Sequence, residues 1–334
     1  MDKVLILTGM AGFIGMNLLN EMIKDKKFLE SYKKIVSIDK MGYATQYNKY
    51  DYYKLCKLNN INTIDTNINN INSWDNTYIR GMKCDIIDLA SESHVDNSIK
   101  NPYGIFTENS TIPTNLISWL GIDNINKYIH LSTDEIYGDL PLLTSEKEWF
   151  DVNSPLHPNN PYSASKASQD CFLMSLKHTF GLNLQIIRLA NQFGPYQFPE
   201  KMLPATICRA KKGQPIKIYG KGLNKRQWTP VVDSVKIIMD AARGNIKDDI
   251  LHIATKEELI PNNNEVVEIW RNILLKDFKI DTKIEYIEDR KGHDLLYALK
   301  TSDLVKTYFI TSNEVRFKET IEYYINNVNL YTKD

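Results

Sequence analysis

The chain opens on two hydrophobic periods in succession. Residues 4–7 are a continuous apolar run of strand length, a glycine-bearing turn follows, and 13–23 place their apolar residues at helical spacing. A second short apolar run, 34–38, ends at Asp39. Further runs at 84–90, 128–132 and 184–189 alternate with helix-like stretches at 104–120 and 163–178. Short apolar strands alternating with amphipathic helices predict an α/β protein with a doubly wound parallel sheet and helices on both faces. Between the second and third runs, 59–72 is dominated by Asn, Ile and Thr; its isoleucines supply a short strand near 63–64 and a contact near Ile68. Beyond about residue 190, Gly194, Pro195, Pro199, Pro204 and Gly213 punctuate shorter elements, which predicts a smaller C-terminal α/β domain that binds substrate.

Composition narrows the function mainly by exclusion. Forty-one basic residues balance forty-one acidic ones, so no global field draws the chain onto nucleic acid or an anionic membrane. An anionic ligand must be gripped locally. Cys56, Cys84, Cys171 and Cys208 lie far apart, with no spacing suited to zinc, and read as reduced, buried thiols; no metal site is expected. No apolar run reaches membrane length, and the N-terminal one is too short for a signal peptide, so a cytoplasmic protein is expected.

Position gives the first glycines their meaning. Gly9-Met10-Ala11-Gly12-Phe13-Ile14-Gly15 lies between the first strand and the first helix, where a turn lets the backbone approach a pyrophosphate and the helix N-terminus meets its charge. Asp39, ending the second strand, suits the adenosine ribose hydroxyls and repels a ribose phosphate, which favours NAD over NADP; Lys40 softens that preference. The fold expected is therefore Rossmann-type, with 1–190 as the NAD-binding domain, segments at about 225–255 returning to it, and 191–334 mainly binding substrate.

Two clusters carry chemistry. Tyr162 and Lys166 are four residues apart on a predicted helix and share a face, so a lysine and a nicotinamide cation are expected to favour the phenolate as a base. Ser132-Thr133-Asp134-Glu135-Ile136-Tyr137-Gly138 closes an apolar strand, and at a strand end both acids can turn towards one cleft. A solvated loop bearing two acids is the plainer alternative.

These motifs, with Leu89-Ala90-Ser91-Glu92-Ser93-His94-Val95-Asp96, the run from Asn191 to Lys201, and Asp289-Arg290-Lys291-Gly292-His293-Asp294, resemble the dTDP-glucose 4,6-dehydratase family of extended short-chain dehydrogenases over nearly the whole chain. The resemblance implies a tightly held NAD contacted by Gly9, Ala11, Gly12, Phe13, Ile14, Gly15, Asp39, Lys40, Asn67, Ile68, Leu89, Ala90, Ser91, Tyr162 and Lys166. It implies oxidation of a dTDP- or UDP-hexose at carbon 4 by Tyr162, with Thr133 and Lys166 holding the geometry. Glu135 then takes the proton from carbon 5, Asp134 protonates the departing carbon 6 hydroxyl, and hydride returns to carbon 6. Substrate contacts are expected from Ser93, His94, Thr133, Asn191, Lys201, Met202, Lys217, Tyr219, Arg226, Arg290 and His293. A homodimer through the helices at 104–120 and 163–178 is also implied. The chain departs from the family at Gln227 and Pro230, at Lys291, at Asn67 and its neighbours, and at Glu108. An epimerase or 4-keto reductase on the same scaffold is the rival reading, which Asp134-Glu135 disfavours; a non-catalytic NAD-binding protein is disfavoured by the intact reactive set.

Overall fold

The computed structural model describes residues 3–77, 79–255, 260–289 and 293–331. Its centre is a seven-stranded sheet in which every pairing is parallel. The first six strands are β1 (Lys3–Thr8), β2 (Lys34–Asp39), β3 (Asn62–Asp65), β4 (Lys83–Asp88), β5 (Ile125–Thr133) and β6 (Leu184–Leu189). From one edge the order runs Ile250–Ile253, β6, β5, β4, β1, β2, β3, so the winding reverses between β1 and β4. Open α/β sheets bind ligands beyond the carboxyl ends of the strands at such a reversal.

Each strand is apolar throughout because both faces are covered. Leu5 and Leu7 of β1 face one core, with helix α1 (Phe13–Lys24) and the helix Val231–Arg243; Val4 and Ile6 face the other, with Leu116, Trp119 and Leu173. Register then sets the site. Thr8 pairs with both Ile38 and Asp88, and Thr133 with Leu189, so the loops carrying Gly9, Asp39 and Leu89 leave one edge of the sheet together.

A separate core gathers around Trp228, Trp270, Phe193, Phe317 and Tyr324, built from the helices Met202–Lys211, Asn263–Phe278 and Asn313–Tyr331. By contrast, the helix Val231–Arg243 and the strand Ile250–Ile253 belong to the main sheet.

Two local expectations change. The helix expected over 104–120 is two helices, Pro102–Ser110 and Ile112–Leu120. Pro113 has no N–H to donate to the preceding turn, but a proline fits the first turn of a new helix. Of the four thiols, Cys56, Cys84 and Cys208 are buried, whereas Cys171 is exposed on the outward side of the helix Pro161–Phe180; helical rotation turns it away from the sheet that buries Asp170 beside it. Among the described residues, no helix is long and apolar enough to cross a membrane.

Candidate active site

One cleft runs along the carboxyl edge of the sheet, and its walls combine the glycine turn, Asp39, Lys40, Asn67, Ile68, Leu89, Ala90 and Ser91 with Thr133, Asp134, Glu135, Tyr162 and Lys166. The turn is tight enough to require glycine. Gly9 has φ +66°, and a Cβ there would lie 3.0 Å from the backbone of Ala90; at Gly15 a Cβ would lie 2.4 Å from the Gly9 carbonyl oxygen. Gly12 caps α1 without a side chain, so the uncapped N-terminal turn of α1 opens on the cleft, where Phe13, Ile14 and Gly15 line it. These residues fit a dinucleotide pyrophosphate.

Asp39 is buried and does two jobs. Its carboxylate accepts hydrogen bonds from the Ala11 amide (3.0 Å) and the Met41 amide (2.8 Å), which ties the glycine turn to the end of β2. Burial raises its pKa, and those two amides oppose the rise. Lys40 meets Glu108 at 2.9 Å and Glu92 at 3.8 Å. Asn67 donates to the same Glu108 oxygen at 3.0 Å, so the family-divergent Glu108 organises this end of the cleft. Leu89 and Ala90 are held by their amides, which both donate to the Thr8 hydroxyl.

The reacting end is built at the close of β5. Asp134–Tyr137 form a single tight turn, and this is how both consecutive acids come to line the cleft. Thr133 starts that turn: its hydroxyl accepts from the Glu135 amide (3.3 Å) and donates to Asp134 (3.2 Å). Glu135 accepts from Asn160 at 3.1 Å, and Asn160 also caps the helix Pro161–Phe180 that carries Tyr162 and Lys166. The acid turn and the reactive helix are thus joined through one amide side chain. Asp134 is almost fully buried, and one of its carboxyl oxygens has no partner among the described residues. Burial, with the neighbouring Glu135, pushes its pKa up to about 7, while Arg226 works against the rise.

At Tyr162 the structure adds a cost that spacing does not show. Burial pushes its phenol well above the ordinary tyrosine value, and Glu135 and Asp134 push it further, whereas a hydrogen bond with Thr133 acts in the other direction. Lys166 is buried too, and burial draws its pKa down to about 8 against the pull of Asp88 and Asp170. Burial and the two carboxyls thus favour the phenol, and the phenolate needs opposing positive charge. The sequence pattern omitted the cost of burying an anion beside two carboxyls.

At the far end, Asn191 and Lys201 line the cleft beside Gln192 and Glu200, and Lys201 donates to the Ser93 carbonyl at 2.9 Å. His94 lies 3.6 Å from Glu200. Neither His94 nor Met202, which opens a helix packed on the second core, lines the cleft itself. Lys217 and Tyr219 are exposed on the strand Ile216–Tyr219; Tyr219 reaches Asp96 at 3.4 Å, and its ring stands edge-on to His293, whose Nδ1 lies 2.6 Å from Asp289. The structure places Arg226 differently from a cleft residue. Its guanidinium is buried, stacks on the Tyr297 ring at 4.1 Å and donates to the carbonyls of Lys225, Asp294 and Leu295. Arg290 lies outside the described residues.

A Rossmann sheet with a tyrosine and a lysine one helical turn apart in the cleft at its carboxyl edge fits a nicotinamide-nucleotide enzyme, and the chain belongs to the NAD dependent epimerase/dehydratase family, whose model matches residues 5–254. Among individual proteins, it is 31% identical to a dTDP-glucose 4,6-dehydratase of Streptomyces niveus over 97% of this chain and 93% of that one. It is 29% identical to dTDP-glucose 4,6-dehydratase 1 of Escherichia coli with the same coverage. Among solved structures, a dTDP-glucose 4,6-dehydratase from Bacillus anthracis in complex with NAD superposes with a TM-score of 0.80 at 29% identity, covering 99% of both chains. Another from Streptomyces venezuelae, also with NAD bound, gives 0.82 at 26% identity, covering 98% and 99%.

Proposed function

We propose that the protein is a nucleotide-sugar 4,6-dehydratase acting on a dTDP- or UDP-hexose of the glucose type. The observation that carries this reading is the pair Asp134 and Glu135, both lining the cleft with Tyr162, with Asp134 poised to hold a proton near neutrality. The names and bound NAD of the relatives support the substrate class and cofactor.

NAD, when bound, supplies the hydride acceptor for carbon 4 and the hydride donor for carbon 6. Tyr162, which must first give up its own proton to solvent under the charge of Lys166 and of the nicotinamide cation when that is bound, takes the proton of the carbon 4 hydroxyl as the phenolate, with the Thr133 hydroxyl beside it and Lys166 one helical turn away. The new carbonyl acidifies the hydrogen on carbon 5, which Glu135 removes. Asp134 gives its proton to the carbon 6 oxygen, which leaves as water. Glu135 returns its proton to carbon 5, Tyr162 releases to solvent the proton it took, and Asp134 regains one from solvent, so no net proton is gained or lost. Two acids with different environments can hold opposite protonation states, which an acid and a base serving one elimination require.

The reading fixes a sign for the pH dependence. With its pKa raised to about 7, Asp134 is the competent acid below that pH and a carboxylate above it. Single-turnover elimination by the holoenzyme is expected to be level on the acid side and to fall about tenfold per pH unit above about 7. Asp134→Asn, which offers no acidic proton, is expected to lose that alkaline limb along with most of the rate.

The experiment that tests the function is mass spectrometry of dTDP-, UDP-, GDP- and CDP-hexoses after incubation with the enzyme. Loss of one water from a dTDP- or UDP-hexose without net NADH is the expected result; a change of configuration with no mass loss establishes the epimerase instead. We further propose a cytoplasmic homodimer paired through the helices Pro102–Ser110 and Pro161–Phe180. The outward Tyr103 and Phe106 on the first of these support that pairing.

A further inference from the structure

Beneath the helix Pro161–Phe180 lies a chain of buried charged groups of which the proposed chemistry uses only Lys166. Asp88 ends β4, accepts from Thr8 (2.6 Å) and from Tyr128 (2.8 Å), and lies 3.2 Å from Nδ1 of His130 on β5. Nε2 of the same ring lies 3.3 Å from the Lys166 ammonium. Asp170, one turn further along the helix, has one oxygen 3.6 Å from His130 Nε2 and the other 3.0 Å from Nε of Arg188 on β6. The side chains of Asp88 and His130 are entirely buried, and Lys166 is 3% exposed.

We infer that His130, fixed by Asp88, is the positioning residue for the Lys166 ammonium, and that it does so as a neutral imidazole bare at Nε2. Both nitrogens of the ring are assigned by their neighbours. Asp88 accepts from Thr8 and Tyr128 and its pKa is held low, so it is the carboxylate and, with only acceptors to offer, takes a proton from Nδ1. The ammonium has only protons to offer, so Nε2 must accept. A proton on Nε2 would face that ammonium, and Asp170 is too distant at 3.6 Å to take it. Charge balance agrees: Asp88 and Asp170 match Lys166 and Arg188 with the imidazole neutral, and one more proton would leave an uncompensated buried cation. Burial and Lys166 lower the His130 pKa, while His130, Lys166 and Thr8 hold Asp88 low against its own burial. A histidine serving only the core needs one satisfied nitrogen. Here the second is used on the helix that presents Tyr162.

The consequence reaches the phenol through Lys166. Tyr162 faces Thr133, Asp134 and Glu135 at the end of β5 and Glu92 after β4, and the three carboxyls all raise its pKa. Lys166, one turn along the same helix, is in this inference the cation that offsets them; its ammonium meets His130 of β5, and the charges of Asp88 of β4 and Asp170 of its own helix act on it. An ammonium released from His130 swings towards Asp88 or Asp170 and away from the phenol.

This inference rests on the oxidation step of the proposed function and not on the eliminating pair. An enzyme that oxidises carbon 4 but never loses water overturns the dehydratase reading and leaves the test readable. His130→Asn retains an amide for Asp88 but nothing at the Nε2 position, whereas His130→Gln carries an amide oxygen to the Nε2 position. The measurement is the pH profile of reduced-nicotinamide formation in a single turnover of the holoenzyme with its nucleotide-sugar. For His130→Asn the acid limb is expected to move to higher pH by about one unit or more, with roughly a tenfold loss at neutral pH; for His130→Gln it is expected to stay near the wild-type position. An unmoved limb in His130→Asn, or equal shifts in both variants, overturns the assignment. Should neither variant fold, nitrogen NMR of the wild-type protein with labelled histidine decides it: a proton on Nδ1 alone is expected, and one on Nε2 contradicts it.

Discussion

Glu135→Gln is expected to oxidise its nucleotide-sugar and then stall, with reduced nicotinamide accumulating in the active site. Glutamine keeps the shape of the side chain, and its amide oxygen can still accept from Asn160, which holds Glu135 at 3.1 Å. Only the basicity is lost. In the proposed mechanism carbon 4 oxidation depends on Tyr162 and Lys166, so it continues, whereas removal of the carbon 5 proton is assigned to Glu135. Overall turnover should fall roughly a hundred- to ten-thousand-fold, the usual contribution of a positioned general base. Stopped-flow absorbance of the reduced cofactor, read beside product formation, separates the two steps. Normal turnover would remove Glu135 from the mechanism and return the acid pair to the status of a structural turn.

Tyr162→Phe is expected to fail earlier and with the opposite signature. The ring is buried and phenylalanine fills the same space, so the fold should persist. Without the phenol oxygen, the carbon 4 hydroxyl loses its proton acceptor before hydride can leave, and oxidation falls by about the same hundred- to ten-thousand-fold. No reduced cofactor accumulates. A variant that still reduces its nicotinamide at the wild-type rate would show that another group takes this proton. Together the two substitutions place two residues on successive steps of one reaction, an order that loss of activity alone does not reveal.

Much of this architecture was legible because it is written in local pattern. Continuous apolar runs mark strands buried on both faces, and the glycine turn between the first such run and the first helix marks the cofactor edge; the observed β1 and α1 differ from the predicted ones by a residue or two at their ends. The acid pair was legible for a similar reason. A strand end is the place where consecutive side chains escape strict alternation, and the turn Asp134–Tyr137 does this.

What stayed hidden depends on groups far apart in sequence. Asn160 links the acid turn to the reactive helix, and no spacing announces that a helix cap also holds Glu135 across 25 positions. His130 reads as one polar residue in an apolar strand until β4 and the helix Pro161–Phe180 close around it. Arg226 misleads in the other direction. A conspicuous arginine in a region expected to bind a diphosphate points instead to ring and carbonyl partners inside the protein, where it also moderates the pKa of Asp134. The Tyr162 phenol shows the same limit: four-residue spacing gives it a lysine, but only the packed structure supplies the burial and the two carboxyls that raise it.

The most direct measurement follows a single hydrogen. A dTDP- or UDP-hexose carrying deuterium at carbon 4 is converted by the holoenzyme and the product is examined by NMR and mass spectrometry. The expected product is a 4-keto sugar lighter by one water with the deuterium now on carbon 6. Deuterium retained at carbon 4 of an inverted sugar, or lost to solvent, would contradict it.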